Sequence, residues 1–375
     1  MDSPGFNRYD IRMEPLAARE NRKQIEQDHV SPEEPAPALP EPSLKILEDA
    51  ADRIRAARAN GRPVVAAFGA HTIKNGLGPV LLRLIEEGWF THLATNGAGV
   101  IHDWEFSFQG ASCEHVGPMV KEGRFGNWEE TGFYINLAIN IGAFEEKGYG
   151  ESIGALIENE GLEIPGPDDI HVACEEWGLL PQRAAAAADL AEIFYQYGIR
   201  SGRNPLEPGW IEVPHPWKHY SIQAGAYRLG VPFTAHPMFG HDIIYNHPMN
   251  YGAAIGRTAE TDFLAFADAI RQIEGGVYLS IGSAVMSPMI FEKCFSIAQN
   301  LAIQEGKPIT DHYILVCDLA ESSWDWSRGE PPEDDPSYYL RYNKSFSRMG
   351  GTMRYLQIDN RDLLLGLVHL LGESG

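Results

Sequence analysis

The chain is poor in cysteine, in positive charge and in long apolar runs. Its 375 residues include four cysteines, Cys113, Cys174, Cys294 and Cys317, which lie far apart and form no CxxC pair. Reduced, buried thiols of a cytoplasmic protein are the expectation. No apolar run reaches the ~18 residues needed to span a bilayer. The opening stretch MDSPGFNRYDIRMEPL has no apolar signal core, so export is not expected. Lys and Arg number 30 against 52 Asp and Glu, a net charge of −22. Such a field repels nucleic acid and suits a cationic small-molecule partner or simple solubility.

Several signatures are missing as well. The dinucleotide fingerprint GxGxxG is absent, because both GAGVIH and GLGPVLL lack the third glycine. There is no phosphate loop, no GxSxG elbow and no HExxH. His215 and His219 in HPWKH, and His236, His241, Asp242 and His247 in HPMFGHDIIYNH, match no common zinc spacing. Hydrogen-bonded loop or substrate-site histidines are the simpler reading, with no metal.

What is present is an alternation. Hydrophobic residues make up 44% of the chain, enough for a large core. Residues 1–42 are charged and proline-rich and read as an arm or linker, resting on a neighbouring subunit. From residue 43 to 375 a single domain is expected. A helix capped by Ser43 and stopped at Asn60-Gly61 opens it. Apolar runs PVVAAF, THLAT, VPFTA, VYLSI, YILVC and MRYLQI then alternate with helical patterns. This predicts an α/β fold, a largely parallel Rossmann-like sheet with helices on both faces. The polar and glycine-rich stretches AHTIKNG, NGAGVIHD, HPMFGHD, GSAVMSP and DLAESSWDW each follow a predicted strand. They therefore fall on the carboxyl edge, where open parallel sheets bind ligands.

One lysine stands out. Lys344 sits among Tyr338, Tyr339 and Tyr342, after the acidic loop GEPPEDDP. Desolvation there would lower its pKa and free a nucleophilic amine, whereas an ordinary solvated lysine is the bland reading.

The stretches TIKNGLGPVLLRLIEEGWFTHLATNGAG, SIQAGAYRLGVPFTAHPMFGHDII and VYLSIGSAVM together resemble deoxyhypusine synthase. The resemblance runs from about Pro63 to the C-terminus. It implies NAD contacts from Ala70, His71, Lys74, Asn96, Gly97, Ala98, Gly282, Ser283 and Asp359. It implies substrate contacts from His102, His236, Asp242, Tyr338 and Tyr342, with Lys344 as the imine-forming catalytic residue. The implied activity is NAD-dependent aminoalkyl transfer from a polyamine or related amine, in a homotetramer. Departures accompany it: Pro288 stands where the family has a polyamine-contacting histidine, and Ser283 and Ala284 replace two glycines of a triplet. Two other readings stay open. One is an NAD-dependent oxidoreductase of the same fold on another substrate, the other a catalytically lapsed cofactor-binding regulatory or scaffold protein.

Overall fold

The computed structural model describes residues 5–200 and 206–372. The chain folds as two compact units, each assembled from three segments.

Unit 2 comprises Asp28–Gly99, Arg228–His236 and Phe263–Gly375. It holds six strands: β1 (Val64–Phe68), β2 (His92–Thr95), β3 (Phe233–Ala235), β4 (Val277–Ile281), β5 (Tyr313–Asp318) and β6 (Thr352–Gln357). Their order across the sheet is β6-β5-β4-β1-β2-β3, and every pairing is parallel. All five residues of β1 and all five of β4 are buried. That is why these strands read as continuous apolar runs and not as alternations. On one face Val65, Ala67, Tyr278, Ile314 and Val316 pack on Phe266, Ile270, Phe291, Phe295 and Phe346. The helices Glu41–Ala59 and Asn360–Gly372 pack on each other and against the sheet.

The first helix departs from the sequence reading. It begins at Glu41, with Pro40 as cap and Pro42 in its first turn. Ser43 is therefore inside the helix. Proline lacks only an N–H that the first turn leaves unpaired anyway, so Pro42 starts the helix instead of delaying it. The expected stop holds: Asn60 is the C-cap and Gly61 follows with φ +65°.

Unit 1 comprises Met1–Gln27, Val100–Tyr227 and Pro237–Asp262. It is mainly helical, with Glu129–Phe144, Tyr149–Asn159 and Pro181–Arg200 as long members. Two small antiparallel pairs, Asn21–Gln24 with Ala111–Glu114 and Gly161–Ile164 with Gly209–Glu212, complete it. Its core gathers Leu137, Ile141, Ile164, Leu190, Ile193 and Met249. The segment expected as an arm divides between the units: Leu16 and Ile25 are buried in unit 1, and Val30 in unit 2.

Candidate functional site

The strand order of unit 2 reverses direction between β1 and β4. In open parallel sheets the carboxyl edge at such a switch point is where ligands bind. Here two glycines bracket it. Gly69 donates its N–H to Ile281 O at 3.0 Å, and Gly282 donates to Cys317 O at 2.9 Å. A Cβ on Gly69 would stand 2.2 Å from Gly282 O. Gly282 has φ +54°, and a Cβ on it would meet the Asn360 amide at 2.8–2.9 Å. Asn360, buried at the start of the last helix, donates to Thr72 Oγ1 at 3.0 Å. Thus three loops, after β1, β4 and β6, lock together at one point, and glycine is required at two of them.

Around this lock lie the residues expected to bind cofactor. Ala70, His71 and Lys74 form the short helix directly after β1, with His71 exposed and Lys74 half-buried. Gly97 and Ala98 open a helix, Gly97–Gln109, directly after β2. The reason is Asn96, whose Oδ1 accepts from Gly99 N at 2.9 Å and so begins the helix at once. Gly99 is also constrained, because a Cβ there would lie 2.3 Å from Thr95 Oγ1. Ser283 Oγ accepts from Ser287 N at 3.2 Å, at the start of the helix Met286–Gln304. Asp359 accepts from Arg361 N at 2.8 Å. All nine positions lie on the carboxyl edge of one sheet. Sequence reasoning missed Gly69, Thr72 and Asn360. The signal for Asn360 was an amide side chain at a strand-to-helix junction beside Asp359.

His236 follows β3 and donates its own N–H to Thr95 O at 2.8 Å. Its Nε2 and that of His92 both lie 3.0 Å from Thr234 Oγ1. Desolvation, with repulsion from His92, pushes His236 down to about 3, and desolvation pushes His92 down to about 4. Both rings are neutral at physiological pH.

The remaining predicted residues separate. His102 belongs to unit 1, where its Nδ1 donates to Ser112 Oγ at 2.7 Å. Ser112 in turn donates to Glu105 Oε2 at 2.6 Å, and Glu105 pairs with Arg19 through two contacts of 2.7 Å. Asp103 accepts from Ser221 Oγ at 2.5 Å and from the N–H groups of Ile222 and Gln223 at 3.2 Å, at the start of the helix Ile222–Leu229. The polar cluster at 102–105 is therefore structural. Asp242, also in unit 1, precedes the turn Ile243–Asn246 without capping it, and its buried Oδ2 has no partner. Desolvation lifts its carboxyl from 3.8 to about 6.

Lys344 does not have the character expected of it. It lies on the helix Arg341–Ser347, which returns the chain toward β6. Its Nζ is 3.0 Å from Glu330 Oε1 and 3.2 Å from the centre of the Tyr338 ring. Desolvation lowers its pKa, but the hydrogen bonds to Glu330 and Tyr338 outweigh that and leave it raised. Tyr339 is exposed, and Tyr342 packs on the apolar core of unit 2. The ammonium is thus stabilised in place. Among the described residues no three His, Cys, Asp or Glu side chains are arranged to hold a metal ion. His215 is buried against Trp104 and Phe108, and His247 Nδ1 accepts from Met249 N at 3.0 Å. No helix among the described residues is long and apolar enough to cross a membrane.

No protein-family model matches the chain, and no curated protein is significantly similar to it. Solved structures do align along it. AgrE in ternary complex with ornithine and NAD+ is 15% identical over 90% of this chain and 34% of that one, with a TM-score of 0.42. The arginine dihydrolase ArgZ of the cyanobacterial ornithine-ammonia cycle is 12% identical over 88% and 33%, with a TM-score of 0.39. A LOR/SDH protein from Methanococcus maripaludis S2 is 12% identical over 92% and 73%, with a TM-score of 0.43. The chain spans about a third of the length of AgrE. These findings correct the resemblance to deoxyhypusine synthase: no family model supports it, and the structures that align are of other kinds. The six strands were correctly read, but hydrophobic runs between glycine-rich turns belong to any sheet of this order, so they could not identify one family.

Proposed function

We propose that the chain binds a dinucleotide of the NAD class on the carboxyl edge of unit 2 and acts as an NAD-dependent oxidoreductase on a small cationic amine. The observation that carries the proposal is the β6-β5-β4-β1-β2-β3 order with its switch point set between Gly69 and Gly282. The residues present fit the group. The exposed His71 and the Lys74 ammonium stand after β1 for phosphate oxygens, and Asp359 stands after β6 for a ribose hydroxyl. When bound, NAD supplies a hydride acceptor. The protein contributes position and field. Neutral His92 and His236 add no positive charge near the edge, and the net charge of −22 draws a cationic amine toward the molecule.

Titration calorimetry of NAD into the full chain tests this. Binding is expected, with a rise in melting temperature as NAD exceeds its Kd. Gly282→Ala, which forces a Cβ onto the Asn360 amide at positive φ, is expected to weaken NAD by about tenfold or more. No heat and no thermal shift at millimolar NAD would overturn the proposal.

A further inference from the structure

Unit 1 buries three oxygens that have no hydrogen-bond partner. Tyr149 is 0% exposed and its hydroxyl has no partner. The Tyr245 hydroxyl and Asp242 Oδ2 are buried and unpartnered too. The three lie within electrostatic reach of one another: Asp242 and Tyr245 both act on the Tyr149 hydroxyl, and Asp242 acts on Tyr245. A fourth group nearby, Asp262, is already committed. Its Oδ2 accepts from Gly150 N at 2.9 Å, and Gly148 leaves room for it, since a Cβ there would stand 1.9 Å from Asp262 Oδ1. Asp242 is therefore the carboxylate of this group with an oxygen to spare.

Buried polar atoms are rarely left without partners, and an uncompensated carboxylate is the most costly case. The two tyrosine hydroxyls carry their own O–H donors, so what this cluster lacks is a positive charge to compensate Asp242. A primary ammonium brings three N–H donors and that charge together. Water brings two donors and leaves the carboxylate uncompensated. The neighbouring surface suits a carbon chain: Phe239 lies on Tyr245 with ring centres 4.9 Å apart, is 65% exposed, and reaches over Gly252, where a Cβ would come within 3.2 Å of its ring.

We infer that unit 1 seats a primary ammonium head group among Asp242 Oδ2, the Tyr149 hydroxyl and the Tyr245 hydroxyl, with an alkyl chain along Phe239. This site concerns unit 1 alone and goes beyond the dinucleotide reading of unit 2. The two fail separately, because every residue here belongs to unit 1 and the measurement needs no NAD.

The test is calorimetry of n-butylamine into the full chain at pH 8 without NAD, beside a separate NAD titration of the same protein. Butylammonium is expected to bind, and tetramethylammonium, which has the charge but no donors, is expected to bind far more weakly. Asp242→Asn should weaken butylammonium by about tenfold or more, and Tyr149→Phe and Tyr245→Phe by smaller factors. Glu163→Gln, which removes an exposed carboxylate of unit 1, should change affinity by less than about twofold. Binding should also fall as the pH drops through the Asp242 pKa of about 6, with Tyr149 and Tyr245 as the titratable groups beside it and Asp262 acting on Tyr149. If Asp242→Asn does not fold, Tyr149→Phe decides. Undiminished binding in the folded variants, tetramethylammonium binding as well as butylammonium, or no butylammonium binding at tens of millimolar, would each overturn the inference. An NAD titration that fails while the amine binds would leave this site standing and remove the dinucleotide reading.

Discussion

In unit 2 the deeply buried polar side chains are neutral: Thr72, His92, Thr95, Thr234, His236, Ser283 and Asn360 among them. In unit 1 they include charges, and among the described residues Arg19, Asp103, Glu105 and Asp262 are the buried charged side chains, all of unit 1. The difference follows from the backbone. A six-stranded parallel sheet saturates its own N–H and C=O groups, so its interior is built from apolar side chains and its few polar ones bond locally. Unit 1 packs helices and short antiparallel pairs, whose ends leave donors exposed. Carboxylates fill that need: Asp103 at the N-terminus of Ile222–Leu229, Asp262 at that of Tyr149–Asn159, Glu105 against Arg19. Buried charge with a full set of partners is therefore structural here. Asp242, whose buried Oδ2 has no hydrogen-bond partner, stands apart from that pattern.

The sharpest way to break the comparison is to remove one partner. Arg19 and Glu105 are 2% and 1% exposed at their side chains and share two bonds of 2.7 Å. Ser112 and Thr131 also donate to Glu105. Desolvation alone would raise the Glu105 carboxyl, but Arg19 wins and holds it below 4.5. Arg19→Met is expected to destabilise the protein by about 3–5 kcal/mol at pH 7, since it strands a buried carboxylate. Thermal melts check this. The loss should shrink as pH falls and Glu105 becomes protonated. A change below about 1 kcal/mol would mean that the pair is not a structural element of unit 1.

The opposite sign is expected at Asp242. Desolvation places its folded pKa at about 6 against 3.8 for an ordinary aspartate. For a raised carboxyl, folding is unpenalised below the unfolded pKa. Stability is then lost as pH rises through the folded value, and the full cost is present above it. That gap corresponds to about 3 kcal/mol. Asp242→Asn should thus stabilise the protein by about 1–3 kcal/mol at pH 8, and the gain should vanish near pH 4. Melting curves of both proteins across that range test it. An Asp242→Asn protein less stable than the parent at pH 8 would place Asp242 with Glu105.

How much of this was legible in the sequence differs between the units for the same reason. The six strands of unit 2 are short buried apolar runs bounded by glycine and polar turns, and local pattern suffices to find them. Their order in the sheet was not legible, because it depends on which runs pair across two hundred residues of chain. The carboxyl-edge loops followed from the strands, but the lock of Gly69, Gly282 and Asn360 is a tertiary contact that no local spacing encodes. Unit 1 was harder still. His102, Asp103 and Glu105 lie close together in sequence, yet Ser221 and Arg19, which hold Asp103 and Glu105, lie at distant positions. Asp242 entered through a family resemblance that the comparisons do not support, and the partners that make it distinctive, Tyr149 and Tyr245, include one almost a hundred residues away.

The smallest effect is expected at Lys344, where sequence and structure disagree on chemistry. Aromatic neighbours suggested a desolvated, deprotonated amine. The ring of Tyr338 is indeed present, 3.2 Å from Nζ, but Glu330 is present too at 3.0 Å. A carboxylate at that distance favours the charged form over any desolvation by tyrosine. The pKa therefore lies above 10.5. Whatever Lys344 adds to stability is fully present below that value and is lost as pH rises through the raised one. Glu330 does not depend on it, because Arg348 contacts the same carboxylate at 2.7–2.9 Å. Lys344→Gln is accordingly expected to lower the melting temperature by about a degree or less at pH 7, with the difference fading in high salt and at strongly alkaline pH. NAD affinity should be unchanged in the same variant. A large loss of stability would show that the pair is buried more deeply than its contacts indicate. A large loss of NAD affinity would bring the helix Arg341–Ser347 onto the carboxyl-edge site, and the lysine would then have to be counted with His71 and Lys74.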